Sequence, residues 1–462
     1  MGKLQKGLFI FHRDFRIVDN VGLLQASKMV ESLYLCFIFT PEQVSSKNDY
    51  KSTNSIQFMI ESLQELENTI NAKGGNLMLF YENTTAAVKK TIEKLHIDGV
   101  FFNKDYSPYA LDRDEELFDL CKKKDIVCKD FEDYYLYEPG KIISAGSGKA
   151  YKKYTPFYNA VVNIQPDMPS KQRISNFGKS SMESDITLAE MFTKLLPKEN
   201  TSILVHGGRE NGLDKLTMAV KKQKDYDEKR DYFKEKTTHL SAYIKFGCVS
   251  IREVYHSFKK AFGKSHGLIR ELIWREFFAH VLYAFPEVIG KSYQQKYRNL
   301  QWRNNASEFK KWKSGKTGVP MVDACMRELN ETGYMHNRGR MTVASFLIKT
   351  LLIDWRKGEK YFAQQLTDYD VASNNGNWQG ISGTGVDMKP YFRDMNPWIQ
   401  SVKFDKDAIY IKKWLPELKD VPAADIHKWD EKHANYKYVN YPQPIVVYSA
   451  RKEEMLEMYK NA

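Results

Sequence analysis

Residues 6–20 read KGLFIFHRDFRIVDN. The run Leu8–Phe11 is apolar and aromatic, far too short for a helix, and breaks at once into the charges of His12-Arg13-Asp14, the pattern of a buried strand entering a turn. Working outward, similar runs at Leu33–Phe39, Leu77–Tyr81 and Val100–Phe102 alternate with amphipathic stretches at Ser55–Ala72 and Thr85–Leu95. Strands alternating with helices predict βαβ units and a doubly wound parallel sheet over residues 1–130. No G-x-G-x-x-G follows the first strand, so the dinucleotide fingerprint is missing. The charged residues of that turn either line a ligand crevice or form a solvated turn.

Two lysine-bearing glycine turns, Gly146-Ser147-Gly148-Lys149 and Gly315-Lys316-Thr317-Gly318, lack the upstream glycine a phosphate loop needs, which excludes a P-loop nucleotidase. Residues 131–235 are rich in Lys, Ser, Asn and Pro and read as a long interdomain connector with little regular structure. From 236 to 462 helical periodicity dominates, with apolar positions three and four apart in RELIWREFFAHVLYAF and MTVASFLIKTLLIDWRKGEKYFAQQL. The predicted fold class is therefore α/β: an N-terminal doubly wound sheet domain, a connector, and an all-α domain. Polar residues crowd that last domain where a plain core has none: Asn337, Arg338 and Arg340, then Asp368, Asp370, Asn374 and Asn375. Such a cluster needs an internal network or a polar ligand.

Across 462 residues, Lys and Arg outnumber Asp and Glu by 70 to 58, a net charge of +12 that points to a polyanionic partner or to a lysine-rich solvated surface. No apolar run spans a bilayer and no signal peptide opens the chain, so an intracellular protein is expected. Five scattered cysteines with no C-x-x-C pair suggest neither disulfides nor a metal site. All eight tryptophans lie beyond residue 273.

The block from Trp312 to Leu418, which includes MHNRGRMTVASF and DYDVASNNGNWQG, resembles the flavin-binding signature of the photolyase/cryptochrome family. THLSAYIKFGCVS, ELIWREFF, GKAYKKYTPF and FHRDFRIVDN are similar to other blocks of that family, in the family's order. The resemblance is closest to the class I type that acts on cyclobutane pyrimidine dimers. It implies FAD in the helical domain, with Tyr226, Thr237, Thr238 and Ser241 on the phosphate side, where hydroxyls and free helix amides suit a pyrophosphate. It implies Arg340 and Asp368 beside the isoalloxazine, Asp370 near its far polar edge, and Asn337 and Asn374 close to the adenine and to flavin N5 respectively. A neutral amide at N5, rather than a carboxylic acid able to give up a proton, is the photolyase pattern.

Repair in the family transfers an electron from photoexcited reduced flavin to a dimer flipped out of duplex DNA; photolyases are among the standard examples of base-flipping enzymes. The resemblance assigns Glu271, Trp274, Arg275 and Met341 to the lesion, and Trp302, Trp355 and Trp378 to a relay that carries electrons to oxidised flavin. It further implies damaged DNA as partner, a monomer in the DNA-containing compartment, and a second antenna chromophore, a folate, deazaflavin or flavin; Asn103–Tyr106 and Arg113-Asp114 only resemble the antenna loop. Departures are equally informative. Gly380 stands where many relatives have a second lesion-holding indole, leaving Trp398 as the only nearby extra indole to nominate, and Tyr334 replaces a usual Trp. His336 precedes Asn337 instead of forming the His-His pair of (6-4) repair, which favours cyclobutane dimers. The competing reading is a cryptochrome-like photoreceptor without repair, or a lyase for another pyrimidine lesion; only about 40 residues follow Trp414–Leu418, which favours the enzyme.

Overall fold

The computed structural model describes residues 2–182, 184–387 and 391–462. Strands β1 (Leu4–Phe11), β2 (Val30–Ile38), β3 (Leu77–Phe80), β4 (Gly99–Asn103) and β5 (Val127–Phe131) form one sheet in the order β3-β2-β1-β4-β5. Every pairing is parallel, the doubly wound arrangement that the strand–helix alternation predicts. Helices cover both faces of such a sheet, which is why its strands read as continuous apolar runs. All residues of β3 and β4 are buried.

The turn after β1 is neither an open crevice nor a solvated loop. Asp14, Arg16, Asp19 and Asn20 are buried. Asn103, at the end of β4, donates to Asp14 Oδ2 at 2.6 Å and to Asn20 Oδ1 at 2.8 Å. Arg16 Nη2 reaches both oxygens of Asp133 at 2.8 and 2.6 Å, and Arg252 joins from the same unit through Asp19 Oδ2 at 3.0 Å and Asp133 Oδ1 at 2.7 Å. Burial tends to raise the Asp133 pKa, but Arg16 and Arg252 outweigh it and hold that carboxyl below its ordinary range. A buried, charge-paired network of this kind is costly to break at one member, by about 3–5 kcal/mol.

The chain forms two compact units: residues 1–199, 205–224 and 238–286 in the first, and 200–204, 225–237 and 287–462 in the second. Periodicity had grouped everything from 236 onward, because a 3.6-residue repeat reports a helix and not the core it packs against. Residues 131–235, expected to hold little regular structure, carry helices at Tyr154–Val161, Leu188–Leu195, Arg209–Lys222 and Tyr226–Lys229. Polar composition hid them, although the Thr187–Glu190 capping box was readable as T-x-x-E.

The larger apolar cluster of the second unit buries Trp312, Trp355, Trp378, Trp414 and Trp429. Most of that unit's tryptophans are thus core residues. The helix Asn337–Ser345 runs directly into a π-helical turn at Phe346–Thr350, a backbone irregularity often found near functional sites.

Candidate functional site

In the second unit the polar cluster resolves into a connected set. Arg340 Nη2 pairs with Asp368 Oδ2 at 2.9 Å, and its Nε donates to Met335 O at 2.9 Å. The guanidinium lies 5.3 Å from the centre of the Tyr334 ring, whose hydroxyl sits 3.2 Å from Thr237 Oγ1. Burial works against the Arg340 charge, but the Asp368 carboxylate beside it prevails and raises the guanidinium pKa further. A permanent cation is therefore held next to a carboxylate in a half-buried setting. Tyr334, which the sequence offered only as a replacement for Trp, links Thr237 to this pair.

Asp370 caps the helix Val371–Ser382 by accepting from Ser373 N at 2.9 Å. One turn into that helix, Asn374 Nδ2 donates to Glu359 O at 3.1 Å, which fixes the plane of its amide. Asn375 and Gln379 are buried and bond Val288 O at 3.1 and 3.0 Å, so these two polar residues tie a loop down. Asn337 is exposed at the start of its helix, with Met341 Sδ 3.8 Å from its Nδ2. His336 caps the same helix, its Nδ1 accepting from Arg338 N at 3.1 Å, and burial holds its pKa down at about 4, so it is a neutral cap. Tyr226 lies in a four-residue helix with Arg230 over its ring at 5.7 Å.

Of the three tryptophans assigned to a relay, Trp355 and Trp378 are buried in the main core and Trp302 is half-buried against it. Gly358 lies so close to Trp378 that a Cβ there would fall 2.3 Å from the indole Cη2. Trp398 also packs against this core, so its ring has a structural task of its own.

In the first unit the helix Gly267–Ala284 carries Glu271, Trp274 and Arg275, all half-buried and spaced three and four residues apart on one face. Arg275 Nη1 lies 3.1 Å from Glu276 Oε1, and its guanidinium sits 4.5 Å from the Tyr135 ring centre. Burial pushes the Glu276 carboxyl up to about 8, even with Arg275 beside it. Thr238 and Ser241 belong to this unit too. Thr238 Oγ1 accepts from Leu240 N at 3.4 Å, and Ser241 is exposed at the start of the short helix Ser241–Lys245. Within the second unit, the Thr237 and Tyr334 hydroxyls, the Arg340–Asp368 pair and the Asn337 and Asn374 amides are a set of polar groups that fits a dinucleotide with a polar ring system.

Family models match most of the chain: DNA photolyase over residues 8–172, and the FAD binding domain of DNA photolyase over residues 268–461. The chain belongs to the DNA photolyase family. The deoxyribodipyrimidine photo-lyase of Halobacterium salinarum is 32% identical, covering 98% of this chain and 99% of its own. An archaeal photolyase from Sulfolobus tokodaii, solved with two FAD molecules, is 39% identical with a TM-score of 0.88, covering 99% of this chain and all (100%) of its own. A bacterial class III photolyase from Agrobacterium tumefaciens is 31% identical with a TM-score of 0.91, covering 100% of this chain and 98% of its own. The two matched ranges take in the five-stranded sheet and most of the helical region. Among the described residues no helix is long and apolar enough to cross a membrane.

Proposed function

We propose that this photolyase repairs damaged DNA with light by splitting cyclobutane pyrimidine dimers. The observation that carries the reading is the end-to-end similarity to deoxyribodipyrimidine photo-lyases, combined with the Arg340–Asp368 pair in the matched FAD-binding region. FAD, when bound in its reduced form, supplies the light-excited electron that opens the dimer.

The protein's own residues do the rest. Arg340, Asp368 and Asp370 would hold and orient the isoalloxazine. Asn374, held by Glu359 O, presents a neutral amide that has no acidic proton to give. Asn337 would hold the adenine, and Tyr226, Thr237, Thr238 and Ser241 would hold the phosphates. Trp274 stacks on the flipped bases, Glu271 accepts hydrogen bonds from their polar edge, and Arg275 and Met341 contribute to lesion binding. Trp302, Trp355 and Trp378 pass electrons inward when the cofactor is oxidised. A second, light-harvesting chromophore belongs to the reading, as in the relative that holds two FAD molecules. The protein acts as a monomer in the DNA-containing compartment.

The test is repair of an oligonucleotide with one thymine dimer by purified, chemically reduced protein under blue light, with FAD and any second chromophore released by acid and quantified. Light-dependent return of intact thymines with about one FAD per chain is expected. FAD-loaded protein that leaves the dimer intact would transfer the assignment to the photoreceptor reading.

A further inference from the structure

Tyr154 opens the helix Tyr154–Val161, and its ring lies flat on the Trp274 indole, with centroids 3.6 Å apart and planes 3° apart. Aromatic pairs commonly settle into offset or edge-on arrangements, so so close a face-to-face contact has to be held in place from outside the pair. Two anchors hold it. The Tyr154 hydroxyl donates to Arg270 O at 2.9 Å, one turn before Trp274 on the same helix. Three residues on, the buried Phe157 wedges between Phe277 and His280, at ring distances of 5.6 and 4.9 Å. Phe277 in turn stands edge-on to Trp274 at 5.7 Å and 81°. One indole face is therefore covered by Tyr154, and the indole plane is fixed from two directions. The residues just before Tyr154, Lys152 and Lys153, are both exposed, which puts positive charge beside this aromatic pair.

We propose that Tyr154 is a positioning residue for lesion binding: with Phe277 and Phe278, whose rings lie 5.7 and 5.5 Å from the indole, it locks Trp274 in the plane in which it stacks on a flipped-out base. The proposal rests on the assignment of Trp274 to the lesion. A free indole must lose side-chain rotational freedom when a base stacks on it, whereas one already clamped does not. The preorganisation appears as affinity and not as chemistry, since Tyr154 is one ring removed from the base.

The test compares Tyr154→Ala, Tyr154→Leu, Tyr154→Phe and Trp274→Ala, each purified with its FAD. Dark titrations use duplexes with and without a thymine dimer, and repair is timed with chemically reduced protein under blue light. Losing the clamp in the Ala and Leu variants is expected to raise Kd for the damaged duplex about tenfold, as for the loss of one stacking contact. Binding to undamaged duplex should stay within about twofold, and kcat should fall by less than about threefold, far below the change in KM. Tyr154→Phe, which keeps the ring, should rescue affinity to within about threefold of wild type. If Tyr154→Leu binds damage as wild type does while Trp274→Ala loses it, the proposal is overturned and the reading of Trp274 stands. If Trp274→Ala binds as wild type, the reading of Trp274 fails and takes the proposal with it. Loss of FAD from both non-aromatic variants would also overturn it, marking Tyr154 as packing.

Discussion

A Cβ added at Gly380 would meet nothing within 4 Å among the described residues, although the residue sits inside the helix Val371–Ser382. Glycine inside a helix costs about 0.5–1 kcal/mol relative to alanine, so the position forgoes stability and leaves space. Base–aromatic stacking contributes about 1–3 kcal/mol per base. Gly380→Trp should therefore bind a dimer-containing duplex about tenfold tighter, read by dark titration, if the pocket has one indole. Unchanged affinity would mean that another ring already fills the space. Trp398 is a poor candidate for that ring, because it is packed against the core, and its removal should lower Tm before it touches binding.

Glu359 makes a second residue-level prediction. It is buried and receives one long hydrogen bond, 3.5 Å from Asn375 Nδ2, and burial pushes its carboxyl up to about 7. The folded protein keeps this proton up to about pH 7, whereas the unfolded chain releases it from an ordinary value of 4.5. Stability from this group is thus complete below 4.5 and declines as pH rises through the window, by on the order of 3 kcal/mol in all. Glu359→Gln has no such titration. Its Tm relative to wild type should climb between pH 5 and pH 8 in paired thermal melts, and a difference that stays flat with pH would contradict the buried acid.

At the scale of elements, the helices Trp355–Gln365 and Val371–Ser382 approach each other through Gly358 and Trp378. A methyl at position 358 would lie 2.3 Å from Trp378 and 2.5 Å from Leu347, so Gly358→Ala should cost about 1–3 kcal/mol in denaturant unfolding. The same helices carry Trp355 and Trp378, two members of the proposed tryptophan relay, which is open to a separate test. Trp302→Phe, at the half-buried end, should slow photoreduction of oxidised FAD severalfold or more, yet leave dimer splitting by chemically reduced protein within about twofold, because repair begins from flavin already reduced. Equal losses in both assays would mark Trp302 as structural. Helix type was legible here from apolar spacing. The registration of one helix on another was not, because a glycine facing an indole reads in sequence as any helix-interior glycine.

For the whole molecule, a net charge of +12 on a protein that acts on DNA predicts affinity falling with salt, at a log–log slope of about −0.9 for each duplex phosphate neutralised. A titration of damaged duplex between low and moderate salt measures it, and a flat response would leave the surplus lysines without a role in binding. The sheet, the helical half and the polar cluster could all be read from the chain, because strand and helix periods, missing glycine fingerprints and motif order are local properties. Arg340 and Asp368, 28 residues apart, could be named from motif order alone, though not the 2.9 Å contact between them. Nothing local distinguishes a charged turn that faces water from one sealed by partners far along the chain, so only the tertiary structure revealed Asp14, Arg16 and Asp19 as a buried network with Asp133 and Arg252. Likewise it alone joined residues 238–286 to the sheet unit, and stacked Tyr154 on Trp274 with its hydroxyl on a carbonyl 116 residues away. Long-range pairing is decided by which surfaces can be buried together, and that quantity exists only once the chain has folded.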